Sequence, residues 1–194
     1  MKVGLTGGIG SGKTTLLNEF VKLGAVGYIA DDEARMLMNN HPVLIAKIKG
    51  IFGAAAYENG ALNRSLISSM IFEDQKLLEL VNNAVRPFVY QHLLEVSKQY
   101  PNKVVIYESA ILLESDFRKS FDLVITINAN KAGRVKRVEK RNGWNSQKIE
   151  NILNSQYNDQ QRSALADLTI DGNNLEKAKV EVEKMYKSFL KKAT

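Results

Sequence analysis

A glycine-rich stretch near the N-terminus has the residue types and the spacing of a loop that binds the phosphates of a nucleotide. The segment GGIGSGKT fits the pattern G-x-x-x-x-G-K-[ST] at Gly7, Gly12, Lys13 and Thr14. Glycines permit backbone conformations in which consecutive N–H groups point at an anion, and a helix after the loop adds its N-terminal dipole. We expect the lysine to reach the β- and γ-phosphates and the threonine hydroxyl to bind Mg²⁺.

The surroundings of this stretch favour a functional loop over a glycine-rich turn that arises by chance. A predicted strand precedes it, and apolar residues recur at helical spacing after it. We therefore predict a nucleotide-binding loop. The residues expected to contact the nucleotide are Gly8, Ile9, Gly10, Ser11, Gly12, Lys13, Thr14 and Thr15.

Two acidic residues follow predicted strands and could act on the phosphate or on its acceptor. In ADDEAR, at the carboxyl end of a strand where α/β proteins bind ligands, Asp31 or Asp32 could orient an acceptor hydroxyl and take its proton. Asp31 could equally cap a helix and pair with Arg35 four residues later. Glu108 ends the run VVIYE and suits either a ligand of Mg²⁺ or water, or a cap of the next element.

Basic residues could cover the transferring phosphate. In NKAGRVKRVEKR (130–141) the residues Arg134, Arg137 and Arg141 share one face at helical spacing, and such a face could close over the phosphates as a lid. A solvated basic helix or a weak nucleic-acid patch would have the same composition. We favour the lid because a phosphate loop needs cations near its polyanion. Arg64 and Arg86 could bind an anionic acceptor, although single arginines on helices are commonly solvated or paired on the surface.

Two other classes of phosphate-loop protein fit the sequence less well than a kinase with a small acceptor. A GTPase needs N-K-x-D to recognise guanine, but this chain has NKAG, with Gly133 in place of the aspartate. No D-x-x-G switch motif occurs in the sequence. A motor ATPase needs parts for oligomerisation and coupling, for which 194 residues leave little room.

Five short apolar or β-branched runs predict a parallel sheet covered by helices on both faces. The predicted strands are residues 2–6, 25–30, 103–108, 122–127 and 167–171. About seventy residues separate the second and third strands, too many for one crossover helix, so we predict a helical insertion there. The predicted helices of the insertion are 32–38, 42–52, 62–72 and 75–100, the last with a break at Pro87. Residues 131–165 and 174–192 are also helical in pattern.

The composition excludes several classes of function. The chain has no cysteine, which rules out disulfides and thiolate chemistry, and its two histidines make a zinc site improbable. Its net charge of +6 suits polyanionic ligands. No run of residues has the length or apolar character of a signal or membrane segment, and we expect a cytoplasmic protein.

These residues together resemble the dephospho-CoA kinases, and the likeness runs nearly from end to end. The matching segments are GLTGGIGSGKTT from Gly4, IADDEAR with Asp31 as its acid, LNRSLISSMIF (62–72), ESAILLE (108–114), RVEKR (137–141), Gln156 and ADLTI (166–170). The last four are similar to the family's D-x-P-L-L-x-E stretch, its R-[LV]-x-x-R lid element, a downstream glutamine and its AD-x-x-I strand.

The chain departs from the family's pattern at a few positions. Ile29 replaces the first aspartate of the acidic box, which leaves Asp31 to carry that role. An asparagine common after the last strand matches neither Gly172 nor Asn173 unambiguously. The other substitutions are Arg86 for histidine, Glu108 for aspartate and Ala110 for proline. The phosphate loop and the lid element keep the family's pattern.

The resemblance implies an α/β P-loop NTPase core with a five-stranded parallel sheet, helices on both faces, a helical acceptor-binding insertion and a helical lid. The core would comprise residues 1–30 and 103–194, with the lid at about 129–162, and the insertion would comprise 31–102. The implied reaction transfers the γ-phosphate of ATP to the 3′-hydroxyl of dephospho-CoA, which gives CoA and ADP.

The resemblance also assigns roles to individual residues. Lys13, Arg137 and Arg141 would stabilise the transferring phosphate, and Asp31 would orient and deprotonate the acceptor hydroxyl. Thr14 and Glu108 would hold Mg²⁺. The residues implied for acceptor binding are Asp31, Arg64, Arg86 and Glu114. ATP and dephospho-CoA are the implied partners, and we expect no nucleic acid, membrane or obligate protein partner.

Two rival interpretations remain at this stage. The first is a nucleoside or nucleotide kinase on the same core, which a panel of acceptors would distinguish. The second is a P-loop regulatory or RNA-binding protein, which would bind RNA in a salt-dependent way and release no ADP in response to an acceptor.

Overall fold

The computed structural model describes residues 1–193, and the side chains of all of these except Phe72, Glu73, Gln75 and Ala193. In chain order the elements are β1 (Lys2–Thr6), α1 (Lys13–Lys22), β2 (Val26–Ile29), α2 (Ala30–Asn40), α3 (Pro42–Phe52), β3 (Tyr57–Glu58), β4 (Ala61–Leu62), α4 (Arg64–Glu73), α5 (Gln75–Gln99), β5 (Val105–Glu108), β6 (Leu123–Asn128), α6 (Lys131–Asn142), α7 (Ser146–Ser155), α8 (Asp159–Leu165), β7 (Leu168–Asp171) and α9 (Leu175–Ala193). Short 3₁₀ turns occupy Ala54–Ala56 and Asp116–Ser120.

The main sheet has five strands, all parallel, in the order β2-β5-β1-β6-β7. This confirms the predicted five-stranded parallel sheet, and β1 has the predicted bounds. The strands are in register, with Leu5 opposite both Glu108 and Ile125. Because the strands are parallel, the segments that follow β1, β2, β5, β6 and β7 all leave the sheet at one edge.

One face of this sheet is covered by α1 and α9. Val3, Leu5 and their counterparts on the neighbouring strands form a buried cluster with Leu16 and Leu17 of α1 and with Val182 of α9. The ring of Phe20 lies 6.2 Å from that of Phe189 and 6.5 Å from that of Tyr186. The predicted helix at 174–192 therefore packs on the sheet as expected.

The other face carries a row of aromatic rings. The rings of Tyr28 and Tyr107, which are opposite each other on β2 and β5, stack at 5.5 Å, and Phe121 lies 5.1 Å from Tyr107. A side chain on Gly4 would begin 2.4 Å from Leu112, so glycine at this position lets the segment after β5 approach the sheet. Helix α8 contacts β6 on the same face of the sheet, where the Asn128 amide donates to Ser163 Oγ at 2.8 Å.

The contacts divide the chain into two compact units: residues 1–29 with residue 99 onwards, and Ala30–Lys98. The second unit is mainly helical, with Leu44, Ile48 and Phe52 buried along α3. It also contains a small antiparallel hairpin, β3–β4, that the sequence reading missed. The signal was present, since Asn59-Gly60 is a dipeptide that favours tight hairpin turns, and both residues have positive φ, 51° and 80°.

The predicted break of the last insertion helix at Pro87 is wrong. Helix α5 continues through this proline as one 25-residue element. Proline removes one backbone hydrogen bond and costs about 3 kcal/mol inside a helix. Buried apolar residues recur every four positions on both sides of Pro87, and their burial offsets this cost. These residues are Val81, Val85, Val89 and Leu93.

Among the described residues, no helix combines the length and apolar character needed to cross a bilayer.

The Phe20 ring tests the packing between α1 and α9. Phe20→Ala should lower the free energy of unfolding by about 3–5 kcal/mol, because the ring is fully buried between two other rings. Its neighbour Val21 is 43% exposed, and Val21→Ala should cost less than about 1 kcal/mol. Urea denaturation of both variants measures the difference, and equal losses would contradict this account of the core.

Candidate nucleotide site

The glycine-rich loop connects β1 to α1 and has the backbone of an anion-binding loop. Gly7, Gly10 and Gly12 have positive φ values of 149°, 76° and 99°, a region that disfavours side chains. The Ser11 N–H donates to the Gly8 carbonyl at 3.1 Å. Within the described part of the chain, the N–H groups of Gly10, Gly12 and Thr14 donate to no protein group. These donors are therefore available to phosphate oxygens.

Lys13 begins α1 and is folded back over the loop. Its side chain is buried, and Nζ donates to the Gly8 carbonyl at 3.3 Å. The ammonium group is thus held beside the same peptide groups that form the anion site. This placement suits the phosphate-binding role predicted from the motif.

Thr14 and Glu108 meet at the carboxyl end of the sheet. The Thr14 hydroxyl lies 3.1 and 3.0 Å from the two carboxylate oxygens of Glu108, which is 8% exposed. The structure brings together the two residues predicted to hold a metal, since β5 is the neighbour of β1 and Leu5 is opposite Glu108. Across residues 1–193, leaving aside the side chains not described, no group of three or more acidic or histidine residues could hold a metal by itself. Any cation here would need phosphate and water oxygens to complete its coordination.

The basic helix α6 contacts the loop through Arg134. Arg134 is 7% exposed, and its Nε donates to the Ile9 carbonyl at 3.0 Å. Its Nη1 donates to Asp159 at 3.1 Å. Burial lowers the pKa of the Arg134 guanidinium; Asp159 opposes this effect, and Arg162 and Arg137 add to it. Arginine remains charged at neutral pH in spite of such shifts.

The three arginines that were predicted to share one face of α6 differ in burial, since only Arg134 is buried. Arg137 and Arg141 are exposed. Arg137 donates to the carbonyls of Gly133 and Gly172, at 3.1 and 3.4 Å, and Arg141 donates to the Asn142 side chain at 2.8 Å. The contacts seen for these two side chains are therefore with their own helix and with the turn after β7, and their predicted phosphate roles stay predictions.

Gln156 is the second side chain that contacts the loop. Its Oε1 accepts a hydrogen bond from the Ile9 N–H at 2.9 Å. The peptide groups of Ile9 are therefore engaged by two side chains from the segment 131–165. Gln156 was singled out only by the family resemblance, because a lone glutamine in a polar stretch carries no signal of its own.

Asp159 and the fully buried Arg162 form an ion pair that the sequence reading did not identify. Arg162 has no exposed surface, and it donates to Asp159 and to the Tyr157 carbonyl. The stretch NDQQR did contain a signal, because Asn158 and Gln161 form a capping box at the start of α8. What the sequence could not show is that this helix start lies against Arg134.

Two other predicted positions are engaged by the protein's own backbone. Glu114, predicted to bind the acceptor, accepts from the Tyr157 N–H at 2.9 Å, and its other oxygen is buried without a partner among the described residues. Asn173 Oδ1 accepts from the Asn130 N–H at 2.9 Å. A side chain on Gly172 would begin 2.8 Å from the Ser11 carbonyl, so close packing explains the glycine directly after β7.

Asp31, Arg64 and Arg86 belong to the unit Ala30–Lys98. Asp31 lies exposed in the first turn of α2, Arg64 begins α4, and Arg86 lies within α5. None of the three side chains makes a hydrogen bond or ion pair with the part of the chain that the structure describes. The alternative pairing of Asp31 with Arg35 is wrong, because Arg35 binds Asp32 at 2.6 Å.

Comparison with known proteins gives matches along the whole chain. A family model described as dephospho-CoA kinase matches residues 1–177. A dephospho-CoA kinase of Leifsonia xyli is 32% identical over 193 residues, which cover 95% of this chain and 96% of that protein.

Solved structures agree with the topology. A crystal structure of TT1252 from Thermus thermophilus is similar with a TM-score of 0.83 and 23% identity, over 100% of this chain and 98% of that one. A dephospho-CoA kinase from Campylobacter jejuni has a TM-score of 0.72 and 21% identity over the full length of both chains. At this identity the likeness shows the fold, which is that of P-loop kinases.

The glycine at position 10 tests the loop geometry. Gly10→Ala should lower the free energy of unfolding by about 1–3 kcal/mol, because φ is 76° and the new methyl group would lie 2.6 Å from the Arg134 carbonyl. Gly50 in α3 has open space around it, and Gly50→Ala should raise stability by up to about 1 kcal/mol. Thermal unfolding compares the two, and a stabilised Gly10→Ala protein would contradict the described loop.

Proposed function

The chain belongs to the dephospho-CoA kinase family, and from that premise we propose which of its residues transfer the γ-phosphate of ATP to the 3′-hydroxyl of dephospho-CoA. The family's reaction gives CoA and ADP and completes CoA biosynthesis. The observation that carries the assignment of residues is the contact of Thr14 with Glu108 beside a loop with uncommitted N–H donors. It combines a phosphate site with an adjacent oxygen site for a cation.

Mg²⁺ fits the residues at this point. A hydroxyl and a carboxylate are hard oxygen ligands, and Mg²⁺ is commonly bound by one or two protein oxygens together with phosphates and water. Thr14 and Glu108 would hold it. When bound, the ion neutralises charge on the β- and γ-phosphates. The protein's own share is to fix these oxygens next to the loop, which the β1–β5 register supports.

The cations around the phosphates would stabilise the charge that spreads during transfer. Lys13 is the first, because it is buried at the loop. Arg137 and Arg141 are proposed in the same role, with α6–α8 (about residues 129–162) as the lid that excludes water. Arg134 of α6 donates to the Ile9 carbonyl in the loop, and this contact supports the proposal that α6 is part of a lid over the phosphates.

Acceptor binding is proposed for the helical insertion, residues 31–102. Asp31 would orient the 3′-hydroxyl and take its proton as the new bond forms. Its carboxylate makes no hydrogen bond among the described residues, which suits a group that binds a substrate. Arg64 and Arg86 are likewise uncommitted and would bind phosphates of dephospho-CoA. Glu114 is proposed on the acceptor side through the family resemblance alone.

We further propose that the protein acts in the cytoplasm on these two small molecules. The proposal includes no nucleic acid, membrane or obligate protein partner. In this proposal ATP would be the anionic ligand of the cation-rich face of α6, and no RNA ligand is needed to explain that face.

A panel of acceptors tests the reaction. ADP release from ATP and Mg²⁺ should rise only when dephospho-CoA is present, and mass spectrometry should identify CoA as the product. AMP, adenosine and buffer alone are the controls. Turnover with AMP or adenosine instead would assign the insertion to another substrate, and no response to any acceptor would contradict the proposed reaction.

Asp32 provides a matched control for Asp31, the residue proposed as the general base. Asp31→Asn should lower kcat by about 10²–10⁴-fold and leave ATP binding nearly unchanged, because only proton transfer is affected. Asp32 is also exposed in the first turn of α2 but is paired with Arg35. Asp32→Asn removes the same charge and should keep kcat within about twofold. Steady-state kinetics separates the two, and a normal kcat for Asp31→Asn would remove it as the base.

A further inference from the structure

Two side chains far away in the sequence make hydrogen bonds with the backbone of the phosphate loop. We propose that Arg134 and Gln156 fix the two peptide groups of Ile9 and thereby hold the loop in its nucleotide-binding form. Asp159 and Glu114 are the residues that hold this pair in place. All four are positioning residues for nucleotide binding. The inference rests on the proposed nucleotide site but not on the identity of the acceptor.

Ile9 lies in the turn of the loop, and both its N–H and its carbonyl are hydrogen-bonded to side chains. Its N–H donates to Gln156 Oε1 at 2.9 Å, and its carbonyl accepts from Arg134 Nε at 3.0 Å. Arg134 comes from α6 and Gln156 follows α7, so two separate segments meet at one residue. The loop is therefore not held by its own hydrogen bonds alone.

These two bonds set the orientation of the neighbouring peptide planes. In a planar trans peptide the carbonyl and the N–H point in opposite directions. With the Ile9 carbonyl held by Arg134, the N–H of Gly10 points the other way, and it has no acceptor within residues 1–193. With the Ile9 N–H held by Gln156, the Gly8 carbonyl points the other way and accepts from the Ser11 N–H and Lys13 Nζ. The bonds thus aim one donor into the anion site and fix the lysine.

Arg134 is itself held by a shared carboxylate. Asp159 Oδ1 accepts from Arg134 Nη1 at 3.1 Å and from Arg162, and Asp159 Oδ2 lies 3.3 Å from the Ala129 N–H, which donates to it. Two buried guanidinium groups therefore share one carboxylate, and the local charge is positive. An anion bound at the loop would balance this charge, so nucleotide binding and the order of the cluster should support each other.

Gln156 is held through its neighbour Tyr157. Both peptide groups of Tyr157 are engaged, the N–H by Glu114 Oε1 and the carbonyl by Arg162. Arg162 is fully buried, and it donates both to Asp159, which holds Arg134, and to the carbonyl of Tyr157, next to Gln156. This gives Glu114 a task within the core unit that is independent of any acceptor.

Gly8 supports the same conclusion. Its φ does not require glycine, but a side chain there would begin 2.0 Å from Arg134 Nη2. The glycine therefore allows the guanidinium to lie directly against the loop backbone. A smaller residue than arginine at position 134 would leave this space empty.

Binding of ADP by calorimetry tests the proposal, because it needs neither an acceptor nor transfer. Arg134→Ala and Gln156→Ala should each weaken ADP binding by about tenfold or more and weaken ATP binding by the same factor. The double variant should lose less than the product of the two, because both side chains act on one residue. Lys136→Ala removes one exposed charge from α6 and is the control, which should leave ADP binding within about twofold.

Three results would overturn the proposal. These are unchanged ADP binding in both single variants, a loss for ATP alone, which would make Arg134 a γ-phosphate contact, and fully multiplicative losses in the double variant. Arg134→Lys adds a test of position against charge. It should bind ADP as weakly as Arg134→Ala, since one ammonium group cannot reproduce the fork that joins Ile9 to Asp159; full ADP affinity would contradict the proposal.

The tests separate this inference from the proposed reaction. Gln156 carries no charge and is half-buried, so Gln156→Ala alone decides the matter if Arg134→Ala does not fold. Added methylguanidinium should restore ADP binding to a folded Arg134→Ala protein, and a failure to do so would count against positioning. If dephospho-CoA is not phosphorylated but the ADP affinities change as described, the proposed reaction fails and this inference stands.

Discussion

The position of β1 in the centre of a parallel sheet is the constraint on which the site depends. β1 is bonded to β5 on one side and β6 on the other, and its residues are buried on both faces. Because all three strands run in one direction, the glycine loop, Glu108 and the start of α6 emerge at the same edge. The contact between Thr14 and Glu108 follows from that register without any long-range adjustment of loops.

The loop adds a second constraint, which is electrostatic. Arg134 and Arg162 are both buried near the phosphate loop, and they share the carboxylate of Asp159. Burial of like charges is unfavourable in the absence of a counter-ion. The cluster therefore suits the proposed site, in which a polyphosphate would balance the charge of the second arginine.

Local sequence patterns predicted most of the fold and the centre of the site, but not the contacts around it. β1, α3 and the order of motifs could be read from the sequence because a buried strand and a helix after proline have strong local signatures. Pro87 was misread as a break because tertiary burial on both sides of a residue is invisible to a local rule. The helical spacing of the three arginines was predicted correctly, but only Arg134 is buried. Its partner Asp159 is 25 residues away, and pairing over that distance needs the fold.

The strand order also has a consequence for how the chain can fold as it is synthesised. β1 and β2 are not neighbours in the sheet, because β5 lies between them, and β5 is made only after the 69 residues from Ala30 to Lys98. The first two strands must therefore remain unpaired until residue 105 is available, while the insertion, which forms a compact unit of its own, can form earlier. Non-local parallel pairing is slow because the entropy of closing the intervening chain is lost before the contacts form. The glycine loop can then reach its final form only after Arg134 and Gln156, in the second half of the chain, have been synthesised.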